Sequence, residues 1–266
     1  MKKVIAILLA VLMCAAVFTG CAKKDLADWD YIKDKKEMVV GITLYEPMNY
    51  YDENGELIGF DTEFTKALCD KLGVEPVFQE IEWEQKETEL KSKAIDVIWN
   101  GLTVTEERRE NMAFSTSYLV NKQVVVINKA NADKYTTVQE MAGATTAAEK
   151  GSAGETAITA SAELSQGEFV GVSAQKDVLM ELKAGTIDVG VLDYTLATAM
   201  VNDDTDYADL MVVEGIELTN EEYAIGLRLE DAEFLKKVNE AIDELAAEGV
   251  LAEIAEKYDV ADILAF

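Results

Sequence analysis

Apolar and polar positions along this chain fall into short blocks whose period changes from block to block. Met38–Thr43 is a brief apolar run of the length of a buried strand. Tyr50–Ile58 carries Asp52-Glu53-Asn54-Gly55 at its centre, a hairpin-turn signal. Phe60, Phe64, Ala67, Leu68 and Leu72 then recur at helical spacing. Asp61 is expected to cap that helix and Gly73 to end it. Val74–Ile81 reads as the next strand, and helical spacing dominates Ala232–Tyr258. Helix and strand patterns alternate between these limits, which argues for an α/β protein with mostly parallel sheets.

One internal echo organises the pattern further. Residues 89–103 read ELKSKAIDVIWNGLT and residues 181–195 read ELKAGTIDVGVLDYT, with seven of fifteen positions identical at an offset of 92. Each copy is the end of a helix, a turn and a buried strand. Repeats mark repeated structural units, and two distant copies point to two similar α/β lobes. Ligands of open α/β sheets sit beyond the carboxyl ends of the strands. Asn100-Gly101-Leu102-Thr103 and Asp193-Tyr194-Thr195 occupy those ends, so they are expected to meet across a cleft between the lobes.

The first twenty residues belong to a different pattern. Lys2 and Lys3 precede an uncharged stretch from Val4 to Phe18, and Thr19-Gly20-Cys21 follows. That is the layout of a secretory signal peptide, and the apolar run is short of the ~20 residues of a membrane span. The context of Cys21 resembles a lipobox, with Phe18 where that pattern usually has Leu. Cleavage before Cys21 gives a signal peptide over 1–20 and leaves 266 − 20 = 246 residues, enough for two lobes of about 120 residues each. Residues 21–35 are polar and charged and read as a lipid-anchored tether. With Cys14 in the leader and Cys21 acylated, Cys69 stands alone, so no internal disulfide framework is expected.

Composition narrows the chemistry. The chain has 24 Lys and Arg against 51 Asp and Glu, a net charge of −27, which argues against nucleic-acid binding. It has no histidine, which removes His-based triads, His metal ligands and His general bases. A zwitterionic ligand needs a cation or N–H donors for its carboxylate and an acid for its ammonium. Of the three arginines, Arg108 and Arg109 follow the Gly101–Thr103 loop closely and Arg228 lies elsewhere. Asp193 ends the second buried strand, as a helix cap, a cation ligand or both. Lys150-Gly151-Ser152-Ala153-Gly154 precedes a small-residue helix whose N–H groups suit a carboxylate, but it lacks the spacing of a nucleotide loop. Tyr45 and Trp83, in loops after strands, are better wall candidates than Trp99, which reads as core.

These stretches together resemble the polar amino-acid solute-binding proteins of ABC importers, the bacterial extracellular solute-binding protein family 3. The matching segments are Gly59-Phe60-Asp61, Gly101 to Arg108 (GLTVTEER), Phe114-Ser115 with Tyr118, Gly151-Ser152, Gly185-Thr186-Ile187-Asp188 and Tyr223-Ala224-Ile225-Gly226. The resemblance implies a two-lobed periplasmic-binding-protein-like (type II) fold with two hinge crossings. Lobe 1 would comprise 36–118 and 222–266, and lobe 2 would comprise 119–221. It implies that Arg108 rather than Arg109 clamps the ligand α-carboxylate, helped by Asn100, Gly101, Thr103 and the N–H groups of Ser152 and Ala153. Asp193 would receive the ammonium, and Tyr45 and Trp83 would sandwich the ligand. The segment Gly41–Met48 is shorter than usual and has no clear counterpart of an acid often used there for side-chain recognition. Glu149 stands where relatives often have a basic or neutral residue. With Glu46 and Glu149 near the pocket and no second basic side chain evident, a neutral polar amino acid is the first expectation and a cationic one the second.

The implied role is a binding protein, not an enzyme, with no cofactor. It would act as a monomer outside the cytoplasmic membrane, held there by lipid on Cys21, and deliver its ligand to a permease and ATPase. Two rivals use the same fold: a binding subunit that reports to a receptor, and a dehydratase of cyclic amino acids with Glu149 as the acid. The anchor is directly testable. In bacterial cells making the full chain, Cys21→Ser is expected to abolish incorporation of labelled palmitate and to move the protein out of the detergent phase; unchanged labelling would refute acylation at Cys21.

Overall fold

The computed structural model describes residues 26–266. The expected signal peptide and Cys21 lie outside the described residues. No helix among the described residues is long and apolar enough to cross a membrane. The strands are β1 (Glu37–Ile42), β2 (Tyr50–Tyr51), β3 (Leu57–Ile58), β4 (Glu75–Glu80), β5 (Val97–Ile98), β6 (Ala113–Phe114), β7 (Leu119–Asn121), β8 (Gln123–Asn128), β9 (Thr146–Glu149), β10 (Phe169–Val172), β11 (Val189–Asp193), β12 (Leu210–Glu217), β13 (Glu221–Tyr223) and β14 (Gly226–Leu227). The α-helices are α1 (Asp28–Lys35), α2 (Phe60–Leu72), α3 (Lys86–Lys91), α4 (Glu106–Arg109), α5 (Ala153–Ala160), α6 (Gln175–Ala184), α7 (Tyr194–Met200), α8 (Ala232–Ala247) and α9 (Val250–Lys257).

Two five-stranded sheets form the two lobes, in the orders β4-β1-β5-β14-β6 and β10-β9-β11-β8-β12. The orders are equivalent strand for strand. In each sheet the first three strands are parallel and the last two are attached antiparallel. The sheets are therefore mixed. Helical crossovers make the parallel half, and strands next to the lobe crossings supply the antiparallel half, a contribution that a helix–strand alternation pattern does not register. Between the lobes, β7 and β13 run side by side as an antiparallel pair, with Asn121 opposite Glu221 and Leu119 opposite Tyr223. The two crossings are thus one short ribbon.

The echoed segments occupy matching places. β5 pairs in parallel with β1, and β11 pairs in parallel with β9. The aspartate that both copies share does the same work twice. The Asp96 carboxylate accepts the Val39 N–H at 2.8 Å, and the Asp188 carboxylate accepts the Thr145 N–H at 3.1 Å. Each ties the turn before β5 or β11 to the neighbouring parallel strand, at Val39 in β1 and at Thr145 just before β9. The environments differ: Asp96 is fully buried beside Lys35 and Arg228, whereas Asp188 is partly exposed.

Lobe 1 is centred on an aromatic nest. Phe64 meets Trp99 edge-on at 4.8 Å and Tyr118 at 5.5 Å, with Phe60 stacked on Tyr118. Trp99 is core, as expected. Helix α8 closes one face with Phe234, Val238, Ala241, Ile242 and Leu245 on a single stripe. Residues 28–35, placed in the tether by their polarity, instead form α1. Its Ile32 is fully buried and Trp29 stacks on Phe234 at 6.0 Å, while Asp28 accepts the Glu233 and Phe234 N–H groups and caps α8. Two apolar anchors among many charges are too few to stand out in composition. The expected cap at Asp61 is also corrected. Gly59 occupies the N-cap position of α2 at φ 128°, where a Cβ would lie 2.2 Å from the Met48 carbonyl oxygen, and Asp61 points inward.

The doubled aspartate predicts an ordered pair of effects. Asp188→Ala is expected to cost about 1 kcal/mol, one exposed hydrogen bond, and Asp96→Ala about 3–5 kcal/mol, because a buried guanidinium loses part of its charge balance. Urea unfolding checks this; equal costs would contradict the account.

Candidate functional site

The carboxyl ends of β5 and β11 face each other across a small cavity of about 10 Å³. Trp83, Asn100, Gly101, Thr103 and Arg108 line it from one lobe, and Glu149, Ser152, Ala153, Gln175 and Asp193 from the other. Eight of the nine residues expected to contact a ligand therefore share one wall. Tyr45 is the ninth, and it stands behind that wall.

The loop after β5 is shaped by burial. Gly101 has φ 58°, and a Cβ there would lie 2.6 Å from the Tyr45 ring and 3.0 Å from Tyr223. Its N–H donates to Asp61 at 2.7 Å, and the Tyr118 hydroxyl donates to the same oxygen at 3.0 Å. Burial pushes the Asp61 carboxyl up to about 7. Asn100 is fixed by donating to Thr43 at 2.7 Å and accepting from Asn49 at 2.7 Å.

Thr105 caps α4 by accepting the Arg108 N–H at 3.1 Å. That turn sends Arg108 inward and Arg109 outward, where Arg109 lies 3.6 Å from Glu106. The Arg108 guanidinium donates to the Thr103 carbonyl at 2.7 Å and, across the cleft, to the Gly151 carbonyl at 3.1 Å. Burial presses its pKa below the ordinary value, opposed by Glu221 and Asp193. Arg228 is buried within 2.7 Å of Asp231 and belongs to the core of lobe 1.

Asp193 sits at the end of β11 amid amide donors. Asn121 and Gln123 donate to it at 2.6 Å each, and Gln175 donates to its other oxygen. The Asp193 side chain makes no capping bond to α7. Burial, then the neighbouring Glu221 charge, raises its carboxyl to about 6. Glu221 itself accepts from Thr103 at 3.0 Å and from Asn121 and Gln123 at 3.1 Å. Ser152 caps α5 by accepting the Glu155 N–H at 3.2 Å, and its own N–H donates to the Glu149 carbonyl at 3.2 Å. The Tyr45 hydroxyl bonds Thr195 of the opposite lobe and Tyr223 at 2.7 Å. Tyr45 thus fastens the lobes together here instead of lining the cavity.

Lys86, Gln123, Gln175 and Glu221 escaped the sequence. Lys86 is a second buried cation beside the site. It donates to the Gly151 carbonyl at 2.9 Å and to the Trp83 carbonyl at 3.2 Å, and lies 4.9 Å from the Trp83 ring centre. Burial, then the Arg108 charge, lowers it to about 7. Its position three residues after Trp83, on the same helical face, was an available signal. Gln175 and Gln123 had no such signal, because they meet Asp193 through folding alone. Glu46, expected near the pocket, lies in a separate groove with Tyr194, Asn202 and Tyr258.

Residues 38–260 match the model of the bacterial extracellular solute-binding proteins, family 3. The chain is 29% identical over 258 residues to the L-cystine-binding protein TcyJ of Escherichia coli K12, covering 94% of each. It is 30% identical to the L-arginine-binding protein of Pseudomonas aeruginosa, covering 86% of this chain and 90% of that one. Among solved structures, an ABC uptake transporter substrate-binding protein from Streptococcus pneumoniae with bound histidine superposes with a TM-score of 0.81 at 31% identity, covering 90% of this chain and 98% of that one.

The buried Asp61 carboxyl predicts a pH signature. Its folded value near 7 exceeds the ordinary 3.8, so the native state holds the proton that the unfolded state has lost. The resulting penalty is absent below about pH 4, grows through the interval and is complete above about pH 7. Asp61→Asn is therefore expected to gain stability relative to the parent protein as pH rises from 4 to 8 in urea titrations; a pH-independent difference would count against this assignment.

Proposed function

Since the chain belongs to the bacterial extracellular solute-binding proteins, family 3, we propose that it captures an α-amino acid between its lobes outside the cytoplasmic membrane. It then delivers that ligand to an ABC permease powered by its ATPase. In this reading the protein is a monomer tethered by lipid on Cys21. The observation that carries the reading is the placement of Arg108 and Asp193, from opposite lobes, on one buried cavity wall. A guanidinium suits a carboxylate by geometry and charge, and an aspartate held by three amides suits an ammonium. The two therefore complement the two ends of a zwitterion.

The cavity of about 10 Å³ has room for about one water, so an amino acid enters only when the lobes part. Opening would break the links from Arg108 and Lys86 to Gly151 and from Tyr45 to Thr195, with the β7–β13 ribbon as the natural hinge. On closure, the ligand carboxylate takes the place of the Gly151 carbonyl at Arg108. The ligand thereby supplies contacts that join the lobes, and the closed, loaded form is the one suited to docking on the permease.

A thermal-shift screen of the purified protein against the twenty amino acids tests this. A ligand at ~1,000 times its dissociation constant adds roughly 4 kcal/mol. Arg108→Met and Asp193→Asn are each expected to weaken the hit by about 30-fold or more, the loss of one partner of a buried charged contact. A folded protein that no amino acid stabilises would sink the proposal.

A further inference from the structure

The cavity carries one ionisable group that a zwitterion does not use. Glu149, at the end of β9, lines the cavity and is 3% exposed, and its Oε1 is buried with no hydrogen-bond partner. The neighbouring acids differ sharply from it: Asp193 has three amide donors, and Glu221 accepts from Thr103, Asn121, Gln123 and Thr219. The two nearby cations do not neutralise it either. Arg108 is bound to the carbonyls of Thr103 and Gly151, and Lys86 to those of Trp83 and Gly151. A buried carboxyl with an unmade bond is costly, and it persists where a ligand completes it.

We propose, building on the amino-acid-binding reading, that Glu149 sets the ligand's side-chain class, receiving a terminal amine or guanidine, so that the site selects an amino acid with a cationic side chain. Once Arg108 and Asp193 have taken the α-carboxylate and α-ammonium, Glu149 is the remaining ionisable group on the wall. A neutral side chain brings no charge to pair with it, whereas a cationic side chain pairs with its carboxylate and completes the unmade bond at Oε1. This reverses the order expected from sequence, where a neutral polar ligand came first and a cationic one second.

The charge state of Glu149 makes the idea measurable. The groups facing it are Asp193 on β11, Asp177 on α6, Lys86 on α3 and Arg108 on α4. Burial first, then Asp193, pushes its pKa well above the ordinary carboxylate range, with Lys86 pulling the other way. The empty site therefore favours Glu149 with its proton. An incoming cation favours the carboxylate, and the proton leaves to solvent as the ion pair forms.

Titration calorimetry of the purified protein at pH 7 with L-arginine, L-lysine and L-ornithine, and with the uncharged isostere L-citrulline and L-glutamine, decides the matter. The expected result is at least tenfold tighter binding of one or more cationic ligands than of citrulline or glutamine. Heats in buffers of different ionisation enthalpy are expected to show release of a proton. Glu149→Gln should lower cationic affinity at least tenfold, leave citrulline within about threefold and abolish the proton release. Glu149→Asp should keep the preference for charge. A protein that binds a neutral or acidic amino acid best, with Glu149→Gln binding it equally well, overturns this inference and leaves the amino-acid-binding reading standing. Failure of the parent protein to bind any of the twenty amino acids removes both.

Discussion

The cleft depends on a guanidinium that cannot be buried alone. Arg108 is desolvated and holds a carbonyl from each lobe, Thr103 on its own side and Gly151 across the gap. Much of the surrounding order serves that one group. Thr105 caps the turn that aims it, and Glu221 and Asp193 balance its charge from a distance. Gly151, at φ 71°, brings a backbone oxygen to where the guanidinium and Lys86 both reach it. Buried charges persist only with partners. The partners here are backbone carbonyls, one from each lobe.

Behind the arginine, the fold repeats one design. Each lobe contains a parallel three-strand unit, closed on one side by antiparallel strands, and one outer strand of each unit, β5 or β11, delivers a loop to the cleft. The aspartates at positions 96 and 188 lock those strands at equivalent points. The crossings form a two-stranded ribbon that belongs to neither five-stranded sheet. Asp61 and Tyr118 then stiffen the Gly101 loop from below, and the aromatic nest of Phe60, Phe64 and Trp99 holds them in place. The Gly101 loop is therefore fixed from within its own lobe.

The acids of the site divide by how completely they are satisfied. Asp193 and Glu221 share the amides of Asn121 and Gln123, so their positions are set before any ligand arrives. Glu149 is placed by its strand, but its Oε1 is not hydrogen-bonded. Hydrogen bonding thus separates fully partnered acids from an unfinished one within one small cavity.

Much of this was legible in the sequence because it is local or repeated. The GLTVTEER stretch, the doubled ELK…IDV unit and the Gly151-Ser152 turn each state their geometry within a few residues, and together they indicated two lobes and the elements that carry Arg108 and Asp193. Tertiary structure alone decided what depends on partners far along the chain. Asp61 looked like a helix cap and instead holds a glycine loop 40 residues away. Tyr45 looked like a wall and is a fastening between lobes, 150 residues from Thr195. Lys86 and Gln175 join the site through contacts that span 65 and 18 residues. Spacing along a chain reports which face of an element a residue occupies. It does not report what that face meets, and burial, charge balance and ligand choice are properties of the meeting.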